Sequence, residues 1–350
     1  MINPIQIAGG GVGGLALGVG LAKRGVDVTV FEKGAYPRHR VCGEFICGVR
    51  EQTLEKLGLA ELFEPALRHQ STVWLSGDEE VLRTDLPFSA LGMSRFMMDL
   101  RMADEFEQSG GSLESKSGLE RNDEVDSPGV VWATGRQRER GHWLGLKVHC
   151  LNFPLSANLE IHLGTQAYVG ASAVENGRVN VCGLFRRIPG MRGREIELMY
   201  AYLDKAGLSG LRKKIQHAEP DTDSYCGVSH FSFESGLGWQ AKASDRDMIF
   251  SIGDQWGVIP PFTGNGMSIA LETAALALDP LTEYAQGALE WGDAVIRFKG
   301  HAHSHLKTRF RIANLIQPIL LNPGAQRILV GIAKRKILPF KPLFALTHGA

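Results

Sequence analysis

The two stretches Ile5-Gln-Ile-Ala-Gly-Gly-Gly-Val-Gly-Gly-Leu15 and Val28-Thr-Val-Phe-Glu32 decide the fold of this chain. The apolar start of the first stretch predicts a short buried strand, Ile5–Ala8. Small and aliphatic residues follow it and predict a helix over residues 13–24. A second strand is predicted over residues 26–31. The predicted order is therefore strand, helix, strand.

Three glycines have the spacing G-x-G-x-x-G in the turn between the first strand and the helix. Gly9 permits the tight turn, Gly11 lets the backbone approach a pyrophosphate, and Gly14 lets helix and strand pack closely. The helix N-terminus offers N–H groups and a positive dipole end to phosphates. Glu32 lies eighteen residues beyond Gly14, where a carboxylate can accept hydrogen bonds from a ribose diol. The unit predicts a dinucleotide site without deciding between NAD and FAD.

The composition disfavours several classes of protein. The 350 residues carry 38 basic and 38 acidic side chains, so the charge gives no sign of nucleic-acid binding. The five cysteines show neither a C-x-x-C pair nor zinc-ligand spacing, which indicates a reducing compartment and no metal site. The first strand begins almost at the N-terminus, and no apolar run reaches the roughly 18 residues of a spanning helix. We therefore expect a cytoplasmic protein.

The charge is unevenly distributed along the chain. Residues 294–350 contain ten basic and no acidic residues, which gives this segment a formal net charge of +10. Residues 1–293 hold 28 basic and 38 acidic residues, which gives −10. Apolar residues accompany the cations over residues 312–321 and 328–338. Such a segment either caps the rest of the protein, which is the commoner case, or lies on an anionic membrane surface or a partner.

The loop after Glu32 carries further candidate site residues. Arg38 and Arg40 either reach a pyrophosphate or belong to a solvated basic loop. Cys42 and Cys47 have the spacing of the redox pair in flavin disulfide reductases. The residues around them differ from that pattern, and no second glycine fingerprint for a nicotinamide follows, so this alternative is less favoured. Residues 45–59 are predicted to form an amphipathic helix.

The middle of the chain is predicted to leave the nucleotide sheet and to return to it. Residues 70–84 predict a strand pair, and residues 94–106 predict a helix. Residues 112–128 are polar and predict a surface hairpin or loop. Residues 129–136 predict a strand that ends near the cofactor. Residues 142–190 are rich in strand and turn signals and predict an antiparallel sheet that forms one wall of a substrate cavity.

A second informative motif begins about 240 residues after the first. A buried strand is predicted to end at Gly253-Asp254, and a loop rich in proline and glycine follows. A helix is predicted to begin near Gly264 to Gly266. An aspartate at a strand end can hold sugar hydroxyls, and a helix N-terminus can face an electron-rich ring. The alternative is an ordinary strand, loop and helix with a capping aspartate.

The two motifs together resemble those of FAD-dependent oxidoreductases of the p-hydroxybenzoate hydroxylase class, and most closely its geranylgeranyl-reductase-like branch. The resemblance covers most of residues 1–280. The matching residues are Gly9, Gly11, Gly14, Glu32, Pro37-Arg38, Cys42-Gly43-Glu44, Ser94-Arg95, Asp99, Gly253-Asp254, Pro260, Gly264, Gly266 and Met267. It implies that Glu32 binds the adenosine ribose, Arg95 lies near the FAD phosphates and Asp254 binds the ribityl chain. It also places Gly264 to Met267 against the flavin ring.

The cofactors that follow are FAD and, as electron donor, NAD(P)H. The predicted cofactor-binding residues are Gly9, Gly11, Val12, Gly13, Gly14, Glu32, Lys33, Arg38, Arg40, Cys42, Gly43, Arg95, Thr134, Gly135, Gly253, Asp254, Pro260, Gly264, Asn265, Gly266 and Met267. Cys42 is also the candidate catalytic residue, as a proton donor or polariser beside the flavin ring. The alternative is a small buried cysteine that packs behind the loop.

The predicted fold is α/β (α+β overall) and has three parts. A Rossmann-type FAD-binding domain comprises residues 1–70, 94–140 and 245–285. It is interleaved with a substrate domain that contains the antiparallel sheet, at residues 71–93 and 141–244. Residues 286–350 form a basic helical C-terminal segment.

Three departures from related families limit the functional prediction. Hydroxylases of the class usually carry Asp-Gly where this chain has Thr134-Gly135, which leaves the use of NAD(P)H open. The isoprenoid reductases carry Tyr-x-Trp-x-Phe-Pro in their lipid cavity, and no match is found near residues 236–239. Flavin halogenases carry Trp-x-Trp-x-Ile-Pro and an early catalytic lysine, and neither is found here.

The sequence predicts an FAD-dependent oxidoreductase that acts on a hydrophobic small molecule of aromatic, polyketide-like or isoprenoid-like character. A monooxygenase that uses a peroxyflavin is marginally favoured. The alternative is a reductase that saturates carbon–carbon double bonds. A flavoprotein that docks on a membrane without catalysis is a third hypothesis. The substrate and the oligomeric state are left open.

Overall fold

The computed structural model describes residues 3–120, 127–136, 141–231 and 248–349. The strands of the first sheet are β1 (Ile5–Ala8), β2 (Val28–Glu32), β6 (Ser112–Ser115), β7 (Val130–Trp132) and β13 (Phe250–Ser251). They are parallel and lie in the order β13-β7-β1-β2-β6. Because β1 is central, the glycine turn after it opens at the carboxyl edge of the sheet, where α/β folds bind their ligands.

The second sheet has eight strands and forms a broad wall. Its strands are β3 (Phe45–Ile46), β4 (Leu67–Ser76), β5 (Glu79–Gly92), β8 (Trp143–Cys150), β9 (Leu159–Gly164), β10 (Ala167–Ala173), β11 (Val179–Arg186) and β12 (Pro220–Phe231). They lie in the order β12-β8-β11-β10-β9-β4-β5-β3. All neighbours are antiparallel except β4 and β9, which are parallel.

The helices cover both sheets. They are α1 (Val12–Ala22), α2 (Glu51–Lys56), α3 (Ala60–Phe63), α4 (Arg95–Gln108), α5 (Glu195–Lys205), α6 (Ser209–His217), α7 (Gly266–Ala285), α8 (Trp291–Leu321), α9 (Pro323–Lys334) and α10 (Phe340–His348). Helix α1 is buried on every side because it lies among the parallel sheet, α4 and α7. Glycines allow this close packing: a Cβ at Gly18 would lie 3.0 Å from the Phe106 ring.

The eight-stranded sheet presents two different faces. Side chains of successive strand residues point to opposite faces. Leu146 and Val148 of β8 pack on one face against α5 and α6, in a core that includes Leu203. Gly145 of β8 and Cys182 of β11 lie on the other face and line a cavity. The antiparallel sheet therefore forms a cavity wall, as the sequence predicts.

The chain passes from the first sheet to the second after β2 and again after β7, and it returns each time. This order gives the predicted α/β fold class with two interleaved sheets and C-terminal helices. The domain boundaries stay a prediction. Two parts of the second sheet, β3 and the first residues of β4, lie inside the segment 1–70 that was assigned to the nucleotide domain.

Two local predictions are wrong. Phe45 and Ile46 do not begin a helix but pair as a strand with Gly92 and Leu91, and the helix is confined to Glu51–Lys56. Residues 112–115 are not a surface loop but pair in parallel with β2. Three of these four residues are exposed, so this edge strand lacks the apolar pattern from which strands are recognised.

The three C-terminal helices pack on the body of the protein. Phe298 and Phe310 of α8 lie in the same core as α1 and α7. Helices α9 and α10 contact α8 and β5. None of the helices in the described ranges is long and apolar enough to cross a membrane.

Candidate functional site

The glycine turn after β1 leaves room for a ligand at the start of α1. Gly9 has a φ of +108°, and a Cβ at Gly14 would lie 1.9 Å from the Gly9 carbonyl oxygen. These two positions therefore require glycine. A Cβ at Gly11 would meet nothing closer than the Arg95 guanidinium, at 4.0 Å. No side chain caps α1 at Gly11, so its first N–H groups are available to an anion.

Glu32 already has several partners in the structure. Its buried carboxylate accepts hydrogen bonds from the N–H groups of Gly10 at 3.0 Å and Gly34 at 2.8 Å. It also pairs with Arg38 at 2.5 Å and with Arg40 at 3.5 Å. A ribose diol at Glu32 would therefore replace an arginine contact. Arg38 and Arg40 are not simply solvated, since both pair with a buried carboxylate.

Arg95 continues this set of cations towards the second sheet. Its guanidinium donates two hydrogen bonds of 2.7 Å to the buried Asp99 carboxylate, one turn along α4. Asp99 also contacts Arg40, at 3.3 Å. Ser94 caps the start of α4 by accepting a hydrogen bond from the Met97 N–H. Three guanidinium groups therefore line the path from the glycine turn to the cavity, and guanidinium groups suit phosphates.

The second motif joins this path from the other side. The Gly253 N–H donates to the Thr273 hydroxyl at 2.9 Å. The side-chain amide of Gln255 donates to the Gly135 carbonyl at 2.5 Å, which ties this motif to Thr134-Gly135. Asp254 lines the cavity, and burial raises the pKa of its carboxyl. No hydrogen bond to that carboxylate is found within the described ranges, so it can accept bonds from ligand hydroxyls.

The start of α7 forms the rim of the cavity. Gly264 has a φ of +68° and lies against the Phe45 ring. The Met267 sulfur lies 3.6 Å from the Cys42 sulfur. The buried Asn265 amide donates to the Thr347 carbonyl at 2.7 Å, and its own carbonyl oxygen has no partner within the described ranges. That oxygen is a buried acceptor next in sequence to Gly264, which lines the cavity.

Cys42 and Cys47 differ in environment and are not disulfide-bonded. Cys42 lines the cavity, and burial raises the pKa of its thiol. Cys47 is fully buried beside Phe45 and Leu86, and burial also raises the pKa of its thiol. Two thiols that are both held protonated are poor redox nucleophiles. The environment of these cysteines argues against a disulfide reductase.

The cavity measures about 450 Å³ and lies between the eight-stranded sheet, the rim and the C-terminal helices. The sheet contributes Trp74, Ile161, Tyr168 and Leu184, and the C-terminal helices contribute residues that include Leu320, Leu329, Phe340 and Phe344. The polar lining residues include Cys42, Ser172, Arg136 and Asp254. The cavity suits a hydrophobic small molecule that presents one polar end to the rim.

A buried charged cluster surrounds Glu44. The Glu44 carboxylate contacts the His149 Nε2 atom at 2.6 Å and the Lys147 ammonium at 3.3 Å, and it accepts a bond from the Arg95 N–H at 3.0 Å. The Lys147 ammonium contacts the Nδ1 atom of His39 at 3.1 Å. Glu44, Lys147 and His149 are essentially unexposed. These three residues form what we call the Glu44 cluster.

The Glu44 cluster fixes the protonation states around the loop. Burial raises the pKa of Glu44, but His149 and Lys147 outweigh it and hold that pKa below its ordinary value. Burial and Lys147 lower the pKa of His39 to about 4, so its ring is neutral at neutral pH and accepts from Lys147. Glu44 also has a φ of +51°, and strain at a non-glycine residue is typical of functional sites.

Only part of this site can be recognised in the sequence pattern, which marks Glu44 but not its partners. Glu44 is a matching residue with no predicted role, and Lys147, His149 and His39 are not among the predicted site residues. One signal was present: Lys147 and His149 alternate on a strand whose other residues are apolar or glycine, apart from the terminal Cys150. His348 has no sequence signal of this kind, and in the structure it contacts the Thr263 carbonyl at 2.8 Å and holds α10 against the rim.

Lys33 is the predicted site residue that the structure leaves apart from the others. Its side chain is exposed and pairs with Glu120, at 3.7 Å. The remaining predicted residues lie along one path, from the glycine turn past Arg95 to the rim of the cavity. This continuous path could hold an extended dinucleotide with its phosphates at α1 and its far end at the cavity.

Comparisons with known proteins agree with this geometry. A family model described as an NAD(P)-binding Rossmann-like domain matches residues 7–43. Conditioned medium factor receptor 1 of Dictyostelium discoideum is 23% identical over 145 residues, which is 37% of this chain and 28% of that protein. The match therefore spans less than a third of that relative.

Solved structures are similar over nearly the whole chain. Klebsiella pneumoniae HpxO in complex with FAD and uric acid has a TM-score of 0.74 at 12% identity, covering 98% of this chain and 97% of the other. Pseudomonas aeruginosa PqsL in complex with 2-aminobenzoylacetate has a TM-score of 0.70 at 14% identity, and the match covers 94% of this chain and 98% of PqsL. The flavin-dependent brominase Bmp2 has a TM-score of 0.72 at 17% identity, and the match covers 100% of this chain and 94% of Bmp2. At these identities the similarity shows the fold, and it confirms the predicted fold class.

Proposed function

We propose that this protein is an FAD-dependent oxidoreductase that acts on a hydrophobic small molecule. One observation carries the proposal: the path lined by the glycine turn and Arg95 ends at the rim of an apolar cavity, at Cys42, Asp254 and Gly264. A cofactor held along that path would place its reactive end against a substrate in the cavity. The similar structure of HpxO contains FAD and a small molecule together.

The residues present fit FAD. The glycine turn and the N-terminus of α1 would hold the pyrophosphate, with Arg95 beside it. Asp254, whose carboxylate has open acceptor positions, would bind the ribityl hydroxyls. The unpartnered Asn265 oxygen and the N-terminus of α7 would face the ring, where a positive helix end stabilises negative charge. The geranylgeranyl-reductase-like branch remains part of this proposal only as an alternative.

Bound FAD would supply the redox chemistry, and the protein's own residues would bind, orient and shield. The apolar wall of Trp74, Tyr168 and Leu184 would exclude water from the reacting centre. NAD(P)H is the proposed electron donor. Halogenation is not proposed although Bmp2 is similar in structure, because the chain lacks the halogenase motif and its lysine.

Monooxygenation of an aromatic or polyketide-like substrate is the main hypothesis, and the apolar lining of the cavity supports it. The test uses FAD-loaded protein, NADH or NADPH, ¹⁸O₂ and two panels of ligands, aromatic compounds and unsaturated isoprenoids. We expect NAD(P)H oxidation that an aromatic ligand accelerates, with one ¹⁸O atom in the product. Saturation of an isoprenoid double bond without ¹⁸O would instead establish the reductase alternative.

The reductase alternative has one specific observation in its favour. Cys42 is held protonated at the cavity rim, beside Met267, so its thiol could donate a proton to a substrate carbon.

Replacing Cys42 by serine tests this role. If Cys42 is a proton donor, we expect turnover to fall by about 10²–10⁴-fold while FAD binding is retained, since that is the usual contribution of an acid catalyst. Turnover in H₂O and D₂O, with and without the substitution, measures the effect. Cys182→Ser is a matched control because Cys182 also lines the cavity. Unchanged turnover in Cys42→Ser would leave Cys42 only a packing role.

A further inference from the structure

The C-terminal helices carry an unusual concentration of exposed apolar side chains. Among the described residues, the three most exposed large apolar side chains are Leu315 (72%), Ile328 (67%) and Ile337 (65%). Ile319 and Leu346 in the same region are also exposed. Leu315 and Ile319 are one turn apart on α8 and so share a face of that helix. Helices α9 and α10 both pack against α8, so the five side chains belong to one packed group of helices and to the segment that joins α9 to α10.

Cations accompany these side chains, and residues 294–350, which carry them, include no acidic residue. The exposed cations of the same segment are Arg311, Arg327, Lys334, Arg335, Lys336 and Lys341. Within the described part of the chain, Lys334 is the member of this set that forms a salt bridge, to Glu79 at 2.6 Å. Together with the five apolar side chains, these cations form what we call the C-terminal surface.

The C-terminal surface is continuous with the cavity. Ile319 lines the cavity and is 41% exposed. Leu338 lines the cavity and directly follows the exposed Ile337. The apolar region outside therefore adjoins the apolar lining inside, on the helices that close the cavity.

We propose that the C-terminal surface docks on an anionic lipid bilayer, and that the cavity opens towards that bilayer. Apolar side chains interleaved with lysine and arginine are the pattern of helices that lie in a membrane interface. The docking itself does not depend on the proposed flavin chemistry. Entry of a hydrophobic substrate from the bilayer does rest on that function.

A second copy of the chain is a poorer occupant of this surface. A two-fold self-contact would place the six cations of one copy against those of the other. Protein–protein interfaces are also depleted of lysine at their centres. An anionic lipid surface neutralises the same charges and accepts the apolar side chains, so it fits both properties of the surface.

Vesicle flotation of the full chain tests the proposal. The probes are vesicles of phosphatidylcholine alone and of phosphatidylcholine with phosphatidylglycerol. We expect the protein to bind the anionic vesicles, and we expect added salt to weaken this binding. Arg335→Ala and Lys336→Ala each remove one cation, and each should weaken binding about fivefold. Leu315→Glu and Ile328→Glu should each weaken binding at least about tenfold. Ile296→Glu is the matched control, since Ile296 is 59% exposed at the start of α8, outside the C-terminal surface.

Two results would overturn the proposal. One is binding that is absent, or unchanged by Leu315→Glu and Ile328→Glu. The other is a dimer in solution that these two substitutions dissociate, which would make the surface a contact between copies. Circular dichroism of each variant checks that it is folded. Because flotation requires no turnover, and bound flavin is measured separately by its absorbance, failure of docking is distinguishable from failure of the proposed function.

Discussion

Replacing Gly11 by alanine is expected to abolish FAD binding while the protein stays folded. The nearest protein atom to the added methyl group would be a guanidinium nitrogen of Arg95, at 4.0 Å. The fold of the apoprotein should therefore be unaffected. It would, however, occupy the space in which the pyrophosphate approaches α1. A clash of this kind costs about 1–3 kcal/mol, and the lost N–H contacts add to it, so we expect FAD affinity to fall by about 100-fold or more. Fluorescence titration with FAD measures the affinity, and the midpoint of thermal unfolding shows whether the variant is folded.

Two other glycines give controls for this experiment. Gly300→Ala places a methyl group in open space on the exposed side of α8, so it should leave FAD affinity unchanged and raise stability slightly. Gly14→Ala should disrupt the fold itself, because its methyl group would lie 1.9 Å from a backbone oxygen. A folded Gly11→Ala protein that binds FAD as tightly as the wild type would contradict the proposed position of the pyrophosphate.

Replacing Glu44 by alanine is expected to give a large loss of stability. It leaves the unexposed Lys147 ammonium without its carboxylate partner. Breaking a buried ion pair from one side costs about 3–5 kcal/mol, and His149 and the Arg95 N–H also lose an acceptor. Chemical denaturation with urea measures the free energy of unfolding.

A double variant shows whether the loss comes from the buried charge. Adding Lys147→Met to Glu44→Ala removes the unpaired ammonium, so much of the lost stability should return. Glu80→Ala is the control, because Glu80 pairs with Arg83 on an exposed part of β5 and its loss should change little. If Glu44→Ala were no less stable than Glu80→Ala, the Glu44 cluster would not be a buried charged group in the folded protein.

The parts of the fold that the sequence predicts correctly are those whose signals lie close together in the sequence. Strand, glycine turn, helix and strand follow one another within residues 5–32, and each has its own signal. The hairpin around Gly77 and the start of α7 near Gly266 are likewise local. The two halves of the predicted cofactor site are each a contiguous motif, and FAD binding there stays a prediction.

The parts that could not be predicted depend on contacts between distant residues. Phe45 and Ile46 are strand residues only because β5 lies beside them. Glu44 meets His149 across 105 positions of sequence, and His348 meets Thr263 across 85. A short window of sequence does not predict such pairs. The Glu44 cluster and the packing of α10 against the rim are therefore known only from the structure.

The absorbance spectrum of the purified protein, with identification of any flavin released on heating, tests the central claim most directly. The proposed function predicts a yellow protein, or an apoprotein that becomes yellow on reconstitution, with about one FAD per chain bound at the proposed site. A protein that neither contains FAD nor binds it on reconstitution would contradict the proposed cofactor, and with it both proposed reactions.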